Sequence, residues 1–147
     1  MAIISNENIL KINSVQEILD FLASNMYSEE NKHILKDNSI NEYIKNVINI
    51  IDFETNYEME GLWTTYNNYN RDLNHFIKSF KNSGNFEIAN LLDKILKLYK
   101  LHFKQINANE SFDQEKYLNE IEMDLRKIID EKEYWYKVIE YIEKNKK

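Results

Sequence analysis

The stretch ETNYEMEGLWTTYNN, Glu54 to Asn68, decides how this chain folds, because it holds one of only two glycines in 147 residues that contain no proline. Helical spacing of apolar residues runs into it and resumes beyond it, so Gly61 reads as a hinge between long helices. Glu54, Gly61, Leu62, Trp63, Tyr66 and Asn68 form the expected structural corner, with the aromatics supplying buried area beside small polar residues. Glu54, Glu58 and Glu60 crowd the end of a helix, where the backbone dipole disfavours negative charge, so they require a cationic partner or an earlier helix end.

Outward from the corner, capping signals divide the chain. Ser14 with Glu17 reads as a capping box that opens a helix carrying Val15, Ile18, Leu19, Leu22 and Met26. Ser39 with Glu42 repeats the pattern before Ile40, Tyr43, Ile44, Val47, Ile48 and Ile51, a helix extending to about Tyr57. A short helix over Glu29 to Leu35 lies between the two boxes. Beyond Gly61 a turn or short helix reaches Asn68. Asn70 caps a helix bearing Leu73, Phe76, Ile77 and Phe80, which Gly84 terminates in the left-handed conformation. Asn85 starts a helix whose Ile88, Leu92, Ile95, Tyr99, Phe103 and Ile106 form one stripe, and Leu91 and Leu98 widen it to more than one buried side.

After a loop over Asn107 to Glu110 and a box at Ser111 and Gln114, Leu118, Ile121, Leu125, Ile128, Lys132, Trp135, Ile139 and Ile142 step by three and four. That seam favours one long C-terminal helix. Asp130 with Glu133 is a further box, and a break near Asp130 is the alternative. The expected fold is all-α, a single domain over residues 1–147 built as a bundle of about six helices, with no strand-like alternation.

Composition narrows the function. The chain has no cysteine, which excludes disulfides, zinc-thiolate sites and thiol nucleophiles. The N-terminus lacks the basic leader of a signal peptide and no run of apolar residues is long enough to span a bilayer, so a cytoplasmic protein without membrane contact is expected. A formal charge of -6 disfavours direct nucleic-acid binding. His33, His75 and His102 lack the paired carboxylate spacing of a di-iron bundle, although Asp72 stands three before His75, and no phosphate loop, nucleophile elbow or HExxH motif occurs. No catalytic residue, metal or cofactor is therefore assigned. A small metal-binding bundle or enzyme is the third-ranked alternative.

Charge concentrates in the last third: Glu110 to Glu143 holds eleven acidic residues against five basic ones. Glu120, Asp124 and Glu131 share one side of the helix, with Glu122 and Glu133 adjoining, and these five are the candidate partner-binding residues. Internal pairing, Glu122 with Arg126 and Glu133 with Lys137, is the default reading of such a row, each pair contributing about 0.2–0.5 kcal/mol.

The order Glu54, Gly61, Leu62, Tyr66, Asn68, followed by Gly84 and Ala89 in FKNSGNFEIANLL and by YIEKN from Tyr141, resembles the DNA-mimic-protein-like family of small bacterial helical domains over about residues 40–145. Glu58, Met59 and Glu60 depart from the family's Asn-Asn-Gly, and Thr64 from its Gln. The resemblance implies an all-helical, non-enzymatic domain and, in some members, a negative surface that occupies DNA-binding proteins. The expected partner is thus a basic DNA-binding protein, bound through the acidic helical face by a monomer or homodimer. An immunity protein that neutralises a toxin is the alternative.

Overall fold

A computed structural model describes residues 2–68, 73–107 and 115–146, with side chains over 2–61, 73–100 and 118–146. The chain is an all-helical bundle of α1 (Asn6–Leu10), α2 (Val15–Asn25), α3 (Glu42–Asn68), α4 (Leu73–Asn82), α5 (Phe86–Asn107), α6 (Glu115–Glu131) and α7 (Tyr134–Asn145). Two 3-10 turns, Glu29–Asn31 and Ile34–Lys36, occupy the region expected to hold one short helix. Helix α4 packs against both α3 and α5, α5 packs against α6, and α7 returns against α3 and α2.

The caps show how local chemistry sets these bounds. Ser14 Oγ accepts from the Glu17 amide at 3.1 Å, as the first box requires. Helix α1, not foreseen, is capped the same way: Ser5 Oγ accepts from the Asn8 amide at 3.1 Å. The second box is displaced. Ser39 gives its hydroxyl and its amide to Asp37 Oδ1, at 2.7 and 2.9 Å, and so cannot cap α3. The Asn41 carbonyl instead accepts the first bonds of α3, from Ile44 and Lys45. At the end of α4, Gly84 (φ 85°) carries a Schellman closure, with Asn85 N–H donating to the Phe80 carbonyl at 2.8 Å and Gly84 N–H to Lys81 at 3.0 Å. The Asn85 carbonyl then accepts from Ala89 and opens α5.

Gly61 is the expected hinge. At φ 81° and ψ 172° it interrupts the helical geometry of α3, in a region of backbone space that essentially only glycine populates. Of the corner residues, Leu62, Trp63, Tyr66 and Asn68 have side chains outside the described residues, as do His102, Phe103 and Ile106. The Asn70 cap, the Asn107–Glu110 loop beyond Asn107 and the Ser111/Gln114 box also fall outside them.

The core is apolar and aromatic. Seven apolar residues of α3 from Tyr43 to Phe53 are buried, Ile50 among them, and α5 buries Ile88, Leu92, Ile95, Leu96, Leu98 and Tyr99 on more than one side. The Phe53 ring lies 5.3 Å from Phe76 and 5.4 Å from Phe80, and Phe80 meets Tyr134 edge-on at 5.9 Å. These contacts join α3, α4 and α7 in one aromatic seam.

The favoured continuous C-terminal helix is corrected: it breaks at Lys132, which has φ 61°. On an uninterrupted helix residue 134 would lie about 180° around the axis from Leu125. The break resets the phase, so that Leu118, Ile121, Leu125 and Ile129 are buried on α6, and Tyr134, Val138 and Ile142 on α7. Ile128, Trp135 and Ile139, placed in the seam by the sequence, are half-buried at its edge.

The first 37 residues are tied in by polar contacts as well as by Ile4, Ile9, Ile18 and Leu22, which join the core. Asn31 is buried, accepts from the Ile4 amide at 2.9 Å and donates to the Ala2 and Asn25 carbonyls at 3.0 Å each. Near the other terminus, the Lys146 ammonium donates to the Ile12 carbonyl.

Candidate functional site

Where α6 ends, three helices meet around one charged cluster. Lys132, held in the left-handed region, reaches back to α3 and donates to Glu54 Oε1 at 3.0 Å and to Glu58. The other oxygen of Glu54 accepts from Trp135 Nε1 at 2.7 Å. This is the cationic partner that the crowded carboxylates of α3 require. Desolvation works against the Lys132 ammonium, yet its hydrogen bonds to Glu58 and Glu54 prevail and hold its pKa above the ordinary lysine value.

A groove of about 690 Å³ opens beside this cluster between α2, α3 and α7, with Leu19, Ile51, Trp135 and Ile139 on its apolar walls and Asp20, Glu131 and Glu133 among its charged groups. Asp20 belongs to α2 and was not anticipated. Nothing in the local sequence links it to residues more than a hundred positions later, and only the packing of α2 on α7 brings them together.

The five sequence-selected acids divide. Glu120, Asp124, Glu131 and Glu133 are exposed. Among the described residues, no cation lies within ion-pair distance of any of them. Glu122 is half-buried and accepts from the Tyr99 hydroxyl at 2.5 Å, so it is a packing contact between α5 and α6. The internal pairs expected from helical spacing are absent among these residues because their cations are engaged elsewhere. Lys137 donates to the Gly84 carbonyl at 3.3 Å, completing the closure of α4. The Arg126 guanidinium lies near the Tyr57 phenol, whose pKa is raised chiefly by burial, against the pull of that guanidinium. Asp124 and Glu131 also flank a shallow depression between α5 and α6 that Glu87 and Lys127 share.

His33 and His75 are exposed on separate elements. Among the described residues no group of three or more His, Asp or Glu side chains is placed to hold a metal ion, and no helix is long and apolar enough to cross a membrane.

Fold and surface together define a small helical-bundle protein with an aromatic core and exposed carboxylates on α6 that meet no cation at ion-pair distance among the described residues. Within that class, the chain belongs to the DMP19-like protein family, whose model matches residues 38–145. The match spans α3 to α7 and begins after α1 and α2. This is a family of DNA-mimic-like small helical domains. No match was found among curated proteins or among solved structures.

Proposed function

We propose that this protein acts by binding another protein, with no reaction of its own, and that it offers Glu120, Asp124, Glu131 and Glu133 to a basic, DNA-binding partner in place of DNA. The observation that carries this reading is the exposure of these four carboxylates with no cation at ion-pair distance among the described residues. Glu120 and Asp124 stand about 6 Å apart along the helix axis, close to the advance of two nucleotides along one DNA strand, about 6.8 Å. Glu131 and Glu133 carry the row to the groove, where Asp20 adds a further carboxylate and Leu19, Trp135 and Ile139 offer apolar area. A partner surface of lysines and arginines around an apolar anchor complements that combination. Glu122, tied to Tyr99, supports the row from beneath and is not assigned a contact.

The test is capture from the native host by the wild-type chain and by the Glu120→Lys/Asp124→Lys/Glu131→Lys variant, each eluted with a salt gradient. The expected result is a captured protein that binds duplex DNA, gives it up when the wild-type chain is added, and is lost from the variant and at high salt. Equal capture by both chains would refute the assignment of this face. Capture of a toxin that does not bind DNA would replace the DNA-mimic reading with the immunity one.

A further inference from the structure

A pocket of about 390 Å³ between the 3-10 turn at Ile34–Lys36, the first half of α3 and the middle of α4 runs against the chain's acidic character. Lys36, Lys45 and Lys78 line it, with His75 beside them and Glu42 as the one carboxylate. With the imidazole neutral, the lining carries a formal charge of +2, inside a protein whose total is -6. Among the described residues, none of the three ammonium groups has a carboxylate within ion-pair distance. Asp37, the other acid in the field of Lys45, is held mainly by the Ser39 hydroxyl and amide.

The floor is polar and fixed. Asn46 and Ser79 are 3% and 1% exposed. Ser79 Oγ donates to Asn46 Oδ1 and accepts from Asn49 Nδ2, each at 3.0 Å, and Asn46 Nδ2 donates to the Tyr141 hydroxyl at 2.8 Å. An amide nitrogen carries two protons. Asn49 spends one on Ser79, and the other has no acceptor among the described residues. Three flexible ammonium groups over a rigid floor with a spare N–H donor suit a compact oxyanion with several acceptor oxygens.

We propose that this pocket binds a phosphate monoester. Such a group carries about -1.5 to -2 charges at neutral pH, which matches the lining, whereas a single carboxylate neutralises only half of it. The volume leaves room for a small organic moiety beyond the phosphate. The pocket shares no residue with the acidic row, so this site stands or falls independently of the protein-binding reading.

The experiment is a calorimetric and NMR titration of the full chain with inorganic phosphate, a nucleoside 5′-monophosphate, a phosphoserine peptide and its unphosphorylated form, at constant ionic strength, with acetate as control. The expected result is saturable one-site binding of the phosphates, with amide shifts at Lys45, Asn49, Lys78 and Ser79. Lys45→Gln and Lys78→Gln should each weaken it by about tenfold or more, as loss of a charge-assisted hydrogen bond does, with the circular dichroism and melting temperature retained. Lys144→Gln, at an exposed position of α7 outside the pocket lining, should bind as the wild type does. Tighter binding of the nucleotide identifies a small-molecule ligand, and tighter binding of the phosphopeptide a phosphorylated side chain. Non-saturating shifts shared with acetate, or full affinity in both pocket variants, would mean an adventitious ion only and overturn the proposal.

Discussion

Replacing Lys132 by alanine and by glycine separates two effects that meet at one residue. Its left-handed backbone costs a non-glycine residue roughly 1–2 kcal/mol. Against this stand two ion pairs, to Glu54 and Glu58, with the lysine side chain 45% exposed and the two carboxylates 17% and 53% exposed. Pairs so open to solvent contribute about 0.2–1 kcal/mol each, the Glu54 arm being the better shielded. Lys132→Ala loses both pairs and keeps the strain, so it should be destabilised by about 1 kcal/mol or somewhat more. Lys132→Gly loses the same pairs but relaxes the backbone, and after the added freedom of its unfolded chain it should exceed Lys132→Ala by about 1 kcal/mol. It should therefore fall within about 0.5 kcal/mol of the wild type. Urea denaturation reads these differences directly, and in a chain of this size each kcal/mol corresponds to about 2–4 °C in melting temperature. In about 1 M salt, where exposed pairs are screened, the wild type should drop toward the alanine variant. If alanine is as stable as glycine at this position, the backbone carries no strain and the account of the break between α6 and α7 is wrong.

Three further outcomes are expected. Tyr134 is 5% exposed and its hydroxyl has no hydrogen-bond partner among the described residues, so Tyr134→Phe should raise stability by about 1 kcal/mol in urea. Asp52 accepts from the Tyr27 hydroxyl and from Asn56 Nδ2 at 3.1 Å, but burial dominates and raises its pKa above 3.8. Its protonated form therefore favours the fold, a contribution fully present below pH 3.8 and lost as pH rises through the folded pKa. Asp52→Asn should accordingly be more stable than the wild type at neutral pH, with the advantage shrinking on acidification when urea midpoints are compared. At Gly61 an added Cβ meets no atom within 4 Å, so Gly61→Ala should lose about 1–3 kcal/mol through backbone strain alone, measured by thermal or urea unfolding.

The helices were legible where side-chain chemistry leaves one option. The Ser14 hydroxyl had a vacant amide three residues on, and Gly84 was the one residue near the end of α4 able to turn left-handed at little cost. Ser39 misled because Asp37, two residues earlier, competes for its hydroxyl, a local alternative that a capping pattern does not register. The break at Lys132 was hidden because a lysine, not a glycine, takes the positive φ, and because steps of three and four continue through it. Of the candidate site, the acids of α6 could be read as a row, but their pairing could not. Whether Lys137 turns to Glu133 or to the Gly84 carbonyl depends on where α4 ends relative to α7. The groove and the basic pocket draw on segments far apart in the chain, and no spacing rule reaches across them.

The boundary at residue 38 has a practical meaning. The family match begins there, yet Ile4, Ile9, Ile18 and Leu22 are inserted among the residues of the matched portion, and Lys146 grips the Ile12 carbonyl from the far end. A chain trimmed to the matched portion would bare a greasy flank and tend to clump, so loss of binding in such a fragment would reveal an opened hydrophobic interior and not the position of the recognition surface.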